Sequence, residues 1–336
     1  MDTHDPVAAG RDGDFALCVA PMMEWTDRHC RVFHRLLAPS ARLYTEMVHA
    51  QAVIHGDRDR LLGFDPVEHP VALQLGGSDP VDLARAARIA AGLGYDEVNL
   101  NCGCPSDRVQ AGRFGACLMR EPGLVADCVA AMAAACPVPV TVKCRLGVDE
   151  LEDYGHFRHF IDTVASAGCR VFAVHARKAW LKGLSPKENR EIPPLRYDWA
   201  RRLKQERPDL VVVLNGGLDS VAVVEREQPH VDGVMIGRAA YHTPWLLHEL
   251  HCRASGEAVS SREALLERLR PHVEAHLAAG GQLRHITRHV LGLFHGQYGG
   301  RAFRQVLSQH GHRPDAGWSL VEQALEATRR PDRDAA

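Results

Sequence analysis

Short apolar runs separated by polar, helix-patterned stretches recur along this chain. Residues 15–20 (Phe-Ala-Leu-Cys-Val-Ala) form the first run and stop at Pro21-Met22-Met23. Similar runs at 42–46, 71–75, 97–100, 140–145, 170–175, 210–214 and 233–236 are bounded by turn residues, which predicts strands. Between them apolar positions recur at helical spacing. Asp79 and Pro80 mark the start of a helix reaching about 91, and further helices are predicted over 122–135, 154–167, 198–206 and 220–227. Eight short strands alternating with helices over roughly 230 residues predict an α/β fold, a (β/α)8 TIM barrel, in preference to a sandwich or an open sheet. Past 244 the strands stop while 262–279 and 283–293 keep helical spacing, which predicts a C-terminal all-helical domain. The expected division is a disordered leader at 1–14, the barrel at 15–248, the helical domain at 249–328 and a flexible tail at 329–336.

The 336 residues and 46% hydrophobic content suffice for a barrel-sized core plus an appendage. A formal charge of -2 advertises no polyanion partner for the molecule as a whole, so a nucleic-acid surface would need local segregation of charge. Such segregation exists. Within 177–196, Arg177, Lys178, Lys182, Lys187, Arg190 and Arg196 meet only Glu188 and Glu191, and from 281 to 313 no acid interrupts Arg284, Arg288, Arg301, Arg304 and Arg313. Arg284 and Arg288 stand four apart, on one face of a helix. One cluster beside the predicted barrel mouth and one on the appendage favour a large anionic substrate. The 10 cysteines lie mostly in apolar segments with no apolar secretory leader ahead of them, so free thiols and a cytoplasmic location are expected. Cys102-Gly-Cys104 has no second His/Cys cluster at ligand spacing, so no metal site is expected. No apolar run reaches the ~18 residues that span a bilayer.

Candidate chemistry concentrates in Asn99-Leu-Asn-Cys-Gly-Cys-Pro-Ser106, where Gly103 and Pro105 break a strand and carry a thiol out on a tight loop. In a parallel barrel that loop lies on the catalytic face. The other strand ends deliver Pro21-Met22-Met23, Glu46, Gln74, Lys143 with Arg145, His175, Asn215-Gly216-Gly217 and Gly237-Arg238 to the same rim. Each alone is as well explained by ordinary structure; eight together describe a site. The glycines after the seventh and eighth strands fall where barrels hold a phosphate, with Arg238 adding charge. Lys143 suits either a Schiff base or a cation set against an electron-rich ring. Most of the cysteines read as small core residues. A free thiol, with a pKa of about 8.5, is mostly protonated near neutrality, which suits Cys104 to the role of an acid.

Seven motifs in chain order are similar to those of the tRNA-dihydrouridine synthase family: Ala20-Pro-Met-Met23, Gln74-Leu-Gly-Gly77, Asn99 to Ser106, Val142-Lys-Cys-Arg145, Val174-His-Ala-Arg-Lys-Ala-Trp-Leu-Lys-Gly-Leu-Ser-Pro-Lys-Glu-Asn-Arg190, Asn215-Gly-Gly217 and Ile236-Gly-Arg238. The long fifth motif and Arg284-His-Ile-Thr-Arg-His-Val-Leu-Gly-Leu-Phe294 resemble its A-type subgroup, which acts on uridines 20 and 20a of the tRNA D-loop. The resemblance implies FMN as cofactor and NADPH as electron donor. By resemblance, Pro21, Met22, Met23, Gln74, Lys143, His175, Asn215, Gly216, Gly217, Gly237 and Arg238 would hold FMN, and Cys104 would be the catalytic acid. Asn101, Lys182, Asn189, Arg301 and Arg304 would meet tRNA or its target base. The implied reaction adds a hydride from N5 of the flavin to C6 of uracil while Cys104 protonates C5, with the base swung out of its stack. A monomer is expected, and no Gly-x-Gly-x-x-Gly follows a strand to give the nicotinamide its own domain. The residues taken alone also admit an FMN barrel reducing a small pyrimidine or enone, a Schiff-base lyase using Lys143, and a non-catalytic RNA-binding protein.

Overall fold

The computed structural model describes residues 15–329 apart from Glu152. The expected leader at 1–14, and the expected tail beyond Arg329, lie outside the described residues. Eight parallel strands close into a single barrel in chain order: β1 (Leu17–Val19), β2 (Arg42–His49), β3 (Val71–Gly76), β4 (Glu97–Cys102), β5 (Val140–Arg145), β6 (Val171–His175), β7 (Val211–Asn215) and β8 (Gly233–Ile236), with β8 pairing back onto β1. The predicted (β/α)8 fold is the one adopted. β1 is shorter than its apolar run. β2 is longer, because its pairing resumes past a register shift between Tyr44 and Met47, where Thr45-Glu46 interrupts the apolar pattern.

Period-two alternation sorts the strand residues between two environments. In β4, Val98, Leu100 and Cys102 point outward to the helical layer, while Glu97, Asn99 and Asn101 point into the lumen. Phe15, Tyr44, Ala72, Ala173, Val213 and Met235 belong to an apolar cluster that fills the lower lumen. Glu97 enters at that level, in register with Ala72, and the polar residues of the site stand above it.

Helix starts follow local rules. The Asp79 carboxylate accepts from the backbone N–H groups of Val81 and Asp82, both at 2.9 Å, and so caps the helix Pro80–Gly92. After β4 the chain forms a short helix, Asp107–Ala111, and a 3-10 turn, Gly115–Arg120, before the predicted helix Pro122–Ala135.

Among the described residues two compact units separate, 15–23, 41–218 and 222–237 on one hand and 24–40, 219–221 and 238–329 on the other. The first contains the whole barrel. Among its described residues the second is helical, with Arg28–Leu37, Arg238–His242, Trp245–Ser255, Arg262–Glu267, Arg270–Ala278, Arg284–Val290, Gly300–His310 and Trp318–Glu326. The sequence boundary at 248/249 falls inside Trp245–Ser255. The single helix predicted over 262–279 is two, because Pro271 lacks the N–H needed to continue the ladder and sits instead in the first turn of Arg270–Ala278.

Candidate active site at the barrel mouth

Cys104 sits four residues above the middle of β4, on a loop held from several sides. The Asn101 side-chain oxygen accepts from the N–H of Gly103 at 3.1 Å and of Cys104 at 3.0 Å. The Gly103 carbonyl accepts from Arg145 Nε at 2.9 Å, and the Cys104 carbonyl accepts from Ala116 N–H at 2.9 Å. Gly115 makes that last approach possible: it is left-handed, with φ +77, and a Cβ there would lie 2.6 Å from the Cys104 oxygen. The thiol itself is half-buried and donates to Ser106 Oγ at 3.5 Å. All ten cysteines are free, and eight are buried. Cys117, the other half-buried one, donates to the Phe114 carbonyl at 3.1 Å, and burial pushes its thiol up. Cys104 is therefore the thiol most open to chemistry.

Beside this loop the strand ends form a polar lattice. Asn101 Nδ2 donates to Gln74 Oε1 at 2.8 Å. Lys143, in register with Asn101, donates to Asn215 Oδ1 at 3.0 Å, and Asn215 Nδ2 donates to the Met235 carbonyl at 2.6 Å. His175 lies in register with Asn215 and Arg145. Burial, and then the neighbouring Arg145, lower the Lys143 ammonium to about 8. His175 is driven well below its ordinary value, by burial first and by the Arg145, Lys143, Arg177 and Arg190 cations next, so it is neutral. Burial lowers Arg145 to about 10, where it remains a cation.

Three observations test whether these residues fit a flavin with a phosphate tail. His175 Nδ1 is buried with no hydrogen-bond partner, which leaves a polar atom to be met by a ligand. Gly216 follows β7 with φ +105, and a Cβ there would come within 3.2 Å of His175 Nε2. Gly237 follows β8, and a Cβ there would meet only Asn215 Nδ2, at 4.0 Å. Unsatisfied imidazole, close backbone approach at Gly216, a roomy Gly237 and clustered cations suit a large, electron-rich, anionic group. The residues fit.

Other predicted residues take varied positions. Pro21 and Met22 are half-buried beyond β1, and Met23 is 57% exposed. Gly217 is left-handed, with φ +67, and exposed; Arg238 opens the helix Arg238–His242 directly after Gly237. Lys182 is exposed on the loop after β6. Asn189 is fully buried at the base of the same loop, where its Nδ2 donates to the Trp180 carbonyl at 2.9 Å and its Oδ1 accepts from Trp180 N–H at 2.7 Å. Its amide faces its own loop and does not point outward. Arg301 and Arg304 are exposed on the helix Gly300–His310, opposite the buried Phe303 and Leu307. Arg284 and Arg288 share an exposed face as their spacing predicts, yet Arg288 pairs with Asp27 at 2.5 Å.

Sequence reasoning passed over Asn99, Thr141 and Glu97, which join the lattice from below. Their signal was the polar alternation of Glu97, Asn99 and Asn101 in an otherwise apolar strand. Among the described residues no helix is long and apolar enough to cross a membrane, and no group of three or more His, Cys, Asp or Glu residues could hold a metal ion.

Comparison with known proteins bears on this site. The chain is 69% identical over 326 residues to the tRNA-dihydrouridine(20/20a) synthase of Xanthomonas campestris pv. campestris, covering 97% of each. It is 54% identical over 316 residues to the same-named protein of Shewanella oneidensis, covering 94% of each. Among solved structures, morphinone reductase aligns with TM-score 0.51 at 13% identity, over 74% of this chain and 87% of that one. An old yellow enzyme homologue from Zymomonas mobilis aligns with TM-score 0.50 at 12% identity, over 76% and 94%. These two share the barrel fold. The sequence model of the dihydrouridine synthase (Dus) family matches residues 18–329, from β1 to the last described helix, and the chain belongs to that family.

Proposed function

We propose that this protein reduces the C5=C6 bond of uridines 20 and 20a in tRNA, with FMN as its resident cofactor and NADPH as electron donor. The relatives' names support the substrate. The observation that carries the chemistry is Cys104, a half-buried thiol on a loop fixed by Asn101, on the same rim as Lys143, His175 and the glycines that follow β7 and β8. Held at that rim, FMN would supply hydride chemistry for C6 of the uracil. Cys104 gives its Sγ proton to C5 and is later reprotonated from solvent. Lys143 provides a positive charge at the mouth, and His175 presents a neutral imidazole. Gly216, Gly217, Gly237 and Arg238 suit the phosphate, and Pro21, Met22, Met23, Gln74 and Asn215 line the cofactor.

Lys182, Arg301 and Arg304 are exposed cations suited to a phosphate backbone. Asn189 contributes by shaping the loop that presents Lys182, and Asn101 by holding the thiol loop beside the base. The enzyme works as a cytoplasmic monomer in this reading.

The experiment is to incubate the yellow protein and NADPH with unmodified tRNA or with free uridine and to quantify dihydrouridine. Formation in tRNA, with free uridine at least about a hundredfold poorer, is expected because remote contacts supply the binding energy that positions the base. Equal activity on free uridine would favour a small-pyrimidine reductase.

Lys143 gives a second test. Its ammonium loses its proton near pH 8 when no anion lies beside it. Affinity for reduced FMN, whose ring is anionic near neutrality, should therefore fall as pH rises through about 8, by at most about tenfold per pH unit. Anaerobic titration should show this slope in the wild type and lose it in Lys143→Met; a flat wild-type profile would remove Lys143 as the ring's charge partner.

A further inference from the structure

Beneath Asn101 a single file of hydrogen bonds runs down the lumen. Asn101 Nδ2 donates to Gln74 Oε1 at 2.8 Å, Gln74 Nε2 donates to Asn99 Oδ1 at 2.8 Å, and Asn99 Nδ2 donates to Thr141 Oγ1 at 2.7 Å. The Thr141 hydroxyl then donates to Glu97 Oε1. Tyr44 donates to the same oxygen at 2.9 Å, and Arg42 Nη1 lies 3.2 Å from Oε2. Asn99 and Glu97 are fully buried, and Gln74 and Thr141 are 1% exposed, so water has little access to these bonds.

The direction of this file has a cause. An Asn or Gln amide can be turned end for end with almost no change of shape, so packing does not choose which end donates. An ionised carboxylate can only accept. With Tyr44 donating to it and the Arg42 cation paired beside it, Glu97 obliges Thr141 to donate downward, and the threonine oxygen must then accept from above. Asn99 consequently shows its NH2 to Thr141 and its oxygen to Gln74, and Gln74 shows its oxygen to Asn101. Asn101 is left with its oxygen toward the backbone N–H groups of Gly103 and Cys104. Reversing the file would set the Asn101 NH2 against those N–H groups, donor against donor.

The geometry points to Thr141 and Asn99, anchored on Glu97, as positioning residues that orient the Cys104 loop for proton transfer from a level about 7 Å below Asn101, at ~3.3 Å per strand residue. This rests on the assignment of Cys104 as the acid. A polar lumen that merely packs would need the volume of Thr141 and would be indifferent to its hydroxyl.

The test compares Thr141→Val with Thr141→Ser in the flavin-loaded enzyme. Four quantities are read: kcat and KM on unmodified tRNA, bound flavin, and the rate of Cys104 alkylation by iodoacetamide, followed by mass spectrometry of its peptide. In Thr141→Val, kcat should fall about tenfold with KM within about twofold, and Cys104 should alkylate several-fold faster as its loop loosens. Thr141→Ser should restore both. Wild-type alkylation and kcat in the valine variant, or a serine variant equally impaired, would overturn the proposal. Should the valine protein not fold, Asn99→Ser cuts the file one step higher and should give the same pair of effects. The alkylation rate judges the file by itself: an active Cys104→Ala enzyme would sink the acid assignment and leave that readout valid.

Discussion

Replacing Cys104 with alanine is expected to lower kcat on tRNA by about 10²–10⁴-fold, the usual contribution of a positioned general acid, while the protein stays yellow. Alanine removes the one proton donor carried on this loop by Asn101, Gly115 and Arg145. Ser106, whose Oγ is 3.5 Å from the sulfur, lies off the loop's tip and offers a much weaker acid. The cofactor should remain because Lys143, His175, Asn215 and the glycines stand on β5 to β8, with no bond to the thiol. Cys104→Ser should fall between the two. The decisive measurement is a single-turnover reaction of pre-reduced enzyme with unmodified tRNA, which isolates this step from nicotinamide oxidation. Wild-type rates in the alanine variant would mean that C5 receives its proton from elsewhere.

Glu97→Ala is expected to be costly to stability, at about 3–5 kcal/mol, because it breaks a buried ion pair. Arg42 is 7% exposed and Glu97 fully buried, 3.2 Å apart. Tyr44 and Thr141 would lose their acceptor at the same stroke. Burial raises the Glu97 carboxyl, and the adjacent guanidinium offsets part of that rise. Urea denaturation followed by circular dichroism should show the loss as a lower midpoint. Arg42→Leu combined with Glu97→Leu should recover part of it, since both members of the buried pair are then apolar. Equal stability of Glu97→Ala and the wild type would show that solvent reaches the lumen floor.

The strands were readable because both faces of a parallel barrel are mostly apolar, so their runs stand out against the helices. The helix Arg28–Leu37 was not. Its buried positions include Arg31, His34 and Arg35, each with a bond to a carbonyl: Arg31 donates to the Thr26 oxygen at 2.8 Å, a His34 ring nitrogen lies 2.9 Å from the Ala240 oxygen, and Arg35 donates to the Pro39 oxygen at 2.6 Å. Hydropathy cannot register such a face. Cys104 could be found from the glycine and proline that flank it. Asn189 was harder, because a polar residue in a basic loop looks outward until the loop's own carbonyls are seen to claim it. Asn99 and Thr141 escaped notice for a related reason: a polar residue inside a barrel strand has the same spelling whether it faces a ligand or another amide.

Arg145 has a role beyond its charge. It is 4% exposed, donating through Nε to Gly103, and through Nη1 to Lys178 at 3.1 Å and Asn189 at 2.8 Å. One rigid fork thereby rivets the segment bearing the sulfur to the segment bearing Lys182. The two segments share a hinge pin, so a displacement that drags the lysine strap outward pulls the sulfur out of line as well. In the proposed function, tRNA contact through Lys182 and proton delivery from Cys104 would be geared together by Arg145, which need touch neither the polynucleotide nor the base.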